Sequence, residues 1–287
     1  MLEVIFLFAL GLIWIVFASV SDLKRTEVPN WVSISLVIFA LGFRLFYCLF
    51  SSENIDFSFF YQGLIGLGIF IVLGNLFYYS RVFAGGDAKL MMALGAVLPI
   101  SNSFMDNVWY FVIFLLIFFI IGTVYGLGWS VYLVIRRFKA FIHEYKVLFN
   151  KNKKRLCLSL LLGLIIILLG IYYSLLFYIG ALIIIFPLFF IYAKAVDEAA
   201  MVRRVNVKDL MEGDWIYQNV KIGKRVILVS WDGLSSRDIK DIQKKHKSIL
   251  IRHGIVFAPV FLISFIIFAY GILRGISILS SFITILS

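Results

Sequence analysis

The chain has 287 residues, 62% of them hydrophobic, and a mean hydropathy of +1.01. A water-soluble domain carries about 45–50% apolar residues, so this composition excludes an ordinary soluble fold and defines an integral membrane protein. The net charge of +11 does not call for nucleic acid, because the basic residues fall mostly in loops between apolar runs, where they face anionic lipid headgroups.

Apolar runs approaching the ~20 residues that cross a bilayer recur along the chain. They predict spans at about 2–21, 30–50, 58–80, 87–101, 107–135, 156–172, 174–193 and 255–273. The first run has Glu3, no basic flank and no small-residue cleavage site after it, so it reads as a retained helix rather than a signal peptide. The fourth run is short, and only Tyr172-Tyr173-Ser174 separates the sixth from the seventh. The fold class is therefore an all-α polytopic membrane protein with about 6–8 transmembrane helices. A small cytoplasmic α+β module accompanies them.

Five regions follow: a membrane core over 1–135, a basic cytoplasmic linker over 136–155, a transmembrane hairpin over 156–193, the module over 194–253, and a last helix with its tail over 254–287. Within the module, Trp215-Ile216-Tyr217 and Val226-Ile227-Leu228-Val229 read as short strands, with Val220–Gly223 near the turn between them. Ser235 or Ser236 caps a helix running to about Lys247, with Ile239 and Ile242 on its apolar stripe.

Basic residues set the orientation. Lys24, Arg25, Arg81, Lys89 and the cluster from Arg136 to Arg155 occupy alternate connections, while Glu53, Asp56 and Asp106 occupy the others. The N-terminus is thereby placed outside. Arg44, inside the second run, is expected to snorkel towards the opposite interface. Cys48 and Cys157 read as two small buried thiols, and His143, His246 and His253 have no partners at metal-ligand spacing.

Two aspartates stand out. Asp22 follows the first run in Ser21-Asp22-Leu23-Lys24-Arg25-Thr26-Glu27-Val28-Pro29-Asn30, and Asp87 lies in Ala84-Gly85-Gly86-Asp87-Ala88-Lys89. A carboxylate at membrane depth is expensive and usually faces a polar interior. Either one could instead cap a helix or pair with Lys24, Arg25 or Lys89. Three features favour a working pair. The charge rule puts both at the same, cytoplasmic edge. Gly85 and Gly86 allow another chain to approach closely. Pro29 disfavours helix at Val28 and suits the first turn of the next helix, which keeps the Asp22 loop short. Two such carboxyls would form an aspartic-protease dyad.

These motifs resemble those of type IV prepilin leader peptidases, membrane aspartic proteases with a GxGD motif, and most closely their archaeal preflagellin (prearchaellin) and prepilin members. Ile251-Arg252-His253-Gly254-Ile255-Val256-Phe257-Ala258-Pro259 also resembles the approach to the last helix in archaeal members. The resemblance covers about 1–135 and 195–273. Ala84 departs from it, standing where GxGD has its first glycine, and the double run 156–193 is an addition.

The resemblance implies an aspartic endopeptidase that removes the short basic leader from prearchaellins or type IV pilin-like precursors at the cytoplasmic membrane face. It implies Asp22 and Asp87 as catalytic residues and requires no metal or other cofactor. Gly85, Gly86, Lys24, Arg25, Lys89, Pro29 and Asn30 would bind substrate or shape the site. Partners would be the precursor polypeptides and membrane lipid, without nucleic acid. Two other functions remain open: a carboxylate-dependent transporter, and a presenilin- or signal-peptide-peptidase-like intramembrane protease.

Overall fold

A computed structural model describes residues 2–25, 27–50, 57–223, 225–230 and 233–275. In chain order the elements are α1 (Leu2–Arg25), α2 (Asn30–Phe50), α3 (Ser58–Tyr79), α4 (Gly85–Leu94), α5 (Phe104–Arg136), α6 (Phe138–Leu169) and α7 (Ser174–Val196). There follow β1 (Val202–Asn206), β2 (Trp215–Ile216), β3 (Val220–Ile222), β4 (Arg225–Ile227), α8 (Ser236–Lys245), β5 (Ser248–Arg252) and α9 (Ala258–Leu273). The chain forms two compact units, Met1–Gly126 with Val256–Ser287, and Leu127–Ile255.

Among the described residues, five helical stretches are long and apolar enough to cross a membrane: Leu2–Lys24, Asn30–Phe50, Ser58–Tyr79, Phe104–Arg136 and Ser174–Met201. The sequence places a span at 87–101, but α4 has only 10 residues. At 1.5 Å per residue that is about 15 Å, half the hydrocarbon thickness. Turns then occupy 95–103.

The first unit is built around α4. Its near neighbours are α2 and α3, and α3 can approach closely because Gly66 and Gly95 face each other backbone to backbone. A Cβ on either would collide with the carbonyl oxygen of the other. On the other side, Phe83, Phe118, Phe257 and Phe261 interlock. Phe118 lies 4.6 Å from Phe261 and 5.8 Å from both Phe83 and Phe257, measured between ring centroids. Lipid supplies no hydrophobic drive between helices, so such close packing and internal hydrogen bonds hold them together.

Those hydrogen bonds concentrate where α4 stops. Backbone that leaves the helix at membrane depth must find its partners inside the protein. Arg44 provides them. It is fully buried, and its Nε donates to the Ala96 carbonyl at 2.9 Å and its Nη1 to Phe59 at 2.9 Å. Its Nη2 donates to Val97 at 3.3 Å and also to Pro99. The guanidinium also lies over the Phe59 ring, 4.5 Å from its centroid. Snorkelling is thus corrected: the carbonyls freed by the end of α4 offer Arg44 a saturated internal site. Asn107 completes the arrangement. Its Oδ1 accepts from Ile100 and Ser101 amides at 3.0 Å, and its Nδ2 donates to Ser101 O at 2.7 Å and Gln62 Oε1 at 3.0 Å.

In the second unit α6 and α7 form an antiparallel hairpin whose axes meet at Gly163 and Gly180. The chain reverses between Leu169 and Ser174, at the tyrosine break. The basic stretch from Lys139 to Arg155 is helical, forming the first half of α6. Cys157, expected to be buried, lies exposed on α6; Cys48 is half-buried and both thiols are free. An apolar run facing lipid does not need to bury its cysteine in protein.

A π-helical turn, Asp197–Met201, leads from α7 into a three-stranded antiparallel sheet of order β1-β5-β2. Arg252 fixes this junction, reaching Asp197 at 3.2 Å and Glu198 at 3.6 Å, while Tyr217 donates to Glu198 at 2.8 Å. The segment expected to turn near Val220–Gly223 is itself β3, paired with β4. Gly223 takes a positive φ of 62° just after β3. Ser235 caps α8, and Ile239 and Ile242 enter the module's core with Ile249 and Ile251 of β5.

Candidate active site

Asp22 lies in the last turn of α1 and is buried. Its Oδ2 accepts the backbone amide of Ala258 at 2.9 Å, and one turn earlier Ser19 Oγ donates to the Ala258 carbonyl at 3.1 Å. The carboxylate therefore sits at the N-terminus of α9, where unpaired amides and the helix dipole favour negative charge. Pro259, in the first turn of α9, has no amide to leave unsatisfied. The sequence marks Ala258-Pro259 only as a motif; the hydrogen bond to Asp22 gives it a physical role.

Asp87 lies in the first turn of α4 and is half-buried. The N-cap position is Ala84, extended at φ −67° and ψ 161°, with no side-chain cap. Asp87 therefore does not cap its own helix. Asp22 ends α1 and Asp87 begins α4, and the packing of Val28 on Gly86 brings these two ends to one side of the unit, where the two carboxyls are coupled electrostatically.

The Asp22 loop packs against the start of α4. Val28 is buried, and a Cβ on Gly86 would stand 3.2 Å from Val28 Cβ and 3.3 Å from its backbone nitrogen. Glycine at 86 lets the two segments meet. Gly85 has more room, its nearest neighbour being Tyr78 at 3.7 Å. Lys89 Nζ donates to Asn30 Oδ1 at 2.6 Å, joining α4 to the first residue of α2. Pro29 is half-buried and its carbonyl accepts the Val32 amide.

The structure thus gathers Asp22, Pro29, Asn30, Gly85, Gly86, Asp87 and Lys89. Lys24 is exposed, and among the described residues no ion pair joins it or Lys89 to either aspartate. Thr26 and the side chain of Arg25 lie outside the described residues. Among the described residues no cluster of three or more His, Cys, Asp or Glu offers a metal site.

The two carboxyls thus lie at the same end of the unit, Asp22 held by the Ala258 amide and Asp87 beside glycine backbone. Residues 9–127, under half of the chain, match the type IV leader peptidase family. This segment holds both aspartates. The chain is 35% identical over 95 residues to a preflagellin peptidase of Methanocaldococcus jannaschii, which is 33% of this chain and 39% of that protein. It is 28% identical over 92 residues to the preflagellin peptidase of Methanococcus maripaludis, covering 32% and 38%. A prepilin peptidase of Methanothermobacter thermautotrophicus is 32% identical over 90 residues, covering 31% and 23%. The matches span less than two fifths of these curated relatives. No solved structure matches the chain.

Proposed function

We propose that this protein is a membrane aspartic endopeptidase that removes short basic leaders from preflagellin- or prepilin-like precursors. The observation that carries the reading is the placement of Asp22 and Asp87, from separate helices whose connecting segments pack together at Val28 and Gly86, inside the segment similar to leader peptidases. The basic residues at this end, Lys24, Arg25, Arg81 and Lys89, favour placing the site at the cytoplasmic face.

Like charges a few Å apart cannot both ionise cheaply, so the pair shares one proton. The ionised carboxyl takes a proton from water as its oxygen attacks the scissile carbonyl carbon, and the protonated carboxyl hydrogen-bonds the carbonyl oxygen. The tetrahedral intermediate then collapses: the C–N bond breaks, and the leaving amine takes a proton from the pair. The proton belongs to the pair rather than to one residue. A scissile bond inside a helix would be locked in its hydrogen-bond ladder, so the leader junction must be extended at the site. The open backbone at Gly85 is suited to that approach.

The test is cleavage of a panel of prearchaellin and prepilin precursors by membranes holding matched amounts of wild type, Asp22→Asn or Asp87→Asn. Wild type is expected to release the shortened product, with each variant reduced by about 10²–10⁴-fold. Cleavage at the wild-type rate by both variants would rule out the dyad. A wild type inert on the whole panel would end the peptidase reading.

A further inference from the structure

The packing of α5 against α9 brings a further ionisable side chain to the level of the N-terminus of α9. Phe114 meets Phe268 at 5.7 Å and Phe118 meets Phe261 at 4.6 Å, and a Cβ on Gly122 would lie 3.2 Å from Phe257. Descending α5 therefore means climbing towards the N-terminus of α9. The next turn of this face, about 5.4 Å further on, brings in Tyr125, three residues after Gly122 and on the same side. That level lies just past Phe257, where the Ala258 amide is bound to Asp22. Tyr125 packs on the buried core together with Phe257. The sequence motifs around the aspartates give no hint of it, because it lies far along the chain from both.

We propose that Tyr125 is a positioning residue of the dyad, its phenol facing the Asp22 carboxyl and holding it in the orientation that meets Asp87. This rests on the peptidase reading above. Electrostatic coupling of the Tyr125 phenol to Asp22 agrees with that placement. Asp22 is then held from two sides, by the Ala258 amide on α9 and by the phenol on α5. A phenol keeps its proton at neutral pH and can donate to an ionised carboxylate. Among the described residues, the other ionisable groups at this end are Lys24 of α1, Glu27 of the following loop, Tyr78 of α3, Arg81 of the turn after α3, and Asp87 and Lys89 of α4. Lys89 is turned to Asn30.

The experiment compares wild type, Tyr125→Phe and Asp22→Asn in precursor cleavage across pH. Tyr125→Phe keeps the ring and its packing while removing the hydroxyl. It is expected to lower kcat by about 10–100-fold, the value of a hydrogen bond to a charged group. KM should stay nearly constant, and the carboxyl-dependent limb of the pH profile should move. Replacing Tyr125 with 3,5-difluorotyrosine, a more acidic phenol of nearly the same shape, should move the same limb while keeping the protein folded. If Asp22→Asn is inactive yet Tyr125→Phe matches wild type in kcat and pH profile, the positioning role is overturned and the dyad stands. An unmoved limb with difluorotyrosine overturns it equally, even if the Phe variant folds poorly. If wild type cleaves nothing, or Asp22→Asn cleaves normally, the peptidase reading fails and this inference goes with it.

Discussion

The two ends of α4 each bury charge, and they do so in opposite ways. At the far end, the guanidinium of Arg44 donates to four backbone carbonyls, and Asn107 and Gln62 close the remaining gaps. Each guanidinium nitrogen there has a carbonyl partner, which is what a structural charge requires. At the near end, Asp22 accepts one amide. Among the described residues, none donates a hydrogen bond to the Asp87 carboxyl. Two carboxyls at one end with acceptor capacity to spare are costly as structure, and groups placed in that way mark a candidate site. The contrast teaches that a charge in an apolar run is read from the saturation of its partners, not from its presence.

Because the ends differ in this way, removing their charges should have opposite consequences. Arg44→Met is expected to leave the carbonyls of Phe59, Ala96, Val97 and Pro99 without their donor. The loss should be about 3–5 kcal/mol, the range for stripping one member from a buried charged network, and should appear as a markedly lower Tm in detergent. Asp22→Asn and Asp87→Asn should leave Tm within a few degrees of wild type or raise it, since they relieve like-charge repulsion. Equal destabilisation by all three substitutions would erase the distinction between the ends.

Asn107 offers a finer version of the same test. Asn107→Leu retains bulk but removes the acceptor for the Ile100 and Ser101 amides and the donor to Gln62. An unsatisfied buried polar group costs about 1–3 kcal/mol, so Tm should fall less than with Arg44→Met. Asn107 and Arg44 support the same irregular segment, so their effects should not add. A double-mutant cycle that proves additive would mean that the segment is held at two independent points.

The asymmetry also explains what the sequence could reveal. Asp22 and Asp87 were legible because each combines a rare residue with local punctuation, Pro29 after one and Gly85-Gly86 before the other. Arg44 was legible as a buried-run charge but not in its role. Its partners are backbone carbonyls around positions 96–99, which no side-chain pattern announces. The early end of α4 was hidden for the same reason: residues 95–103 remain apolar enough to extend a helix, and only Gly95 and Pro99 signal the break. Capping of α8 was visible at Ser235, whereas β1 was not, since Arg203 and Arg204 make its sequence look like a charged linker. Its pairing with β5, through Val202↔Arg252 to Asn206↔Ser248, is a tertiary choice.

The smallest expected effect lies in the second unit, where charge is exposed and local. Ser235 caps α8 reciprocally with Asp238: the Asp238 amide donates to Ser235 Oγ at 3.2 Å, and the Ser235 hydroxyl donates to Asp238 Oδ2 at 2.6 Å. Arg225 adds a contact to Asp238 at 2.8 Å. The Ser235 hydroxyl, ahead of Arg225, holds the Asp238 carboxyl below its ordinary value. A lowered folded value means that this contribution is fully present above the usual carboxylate range and is lost as pH falls through the folded value. Ser235→Ala should cost about 1 kcal/mol, read as faster amide hydrogen exchange across residues 236–245 of the full chain. The difference between variant and wild type should narrow as pH falls through that window, because protonated Asp238 no longer accepts from Ser235 as strongly. A difference that stays constant with pH would assign the cap to the neutral bond from the Asp238 amide alone and leave the carboxylate as a bystander.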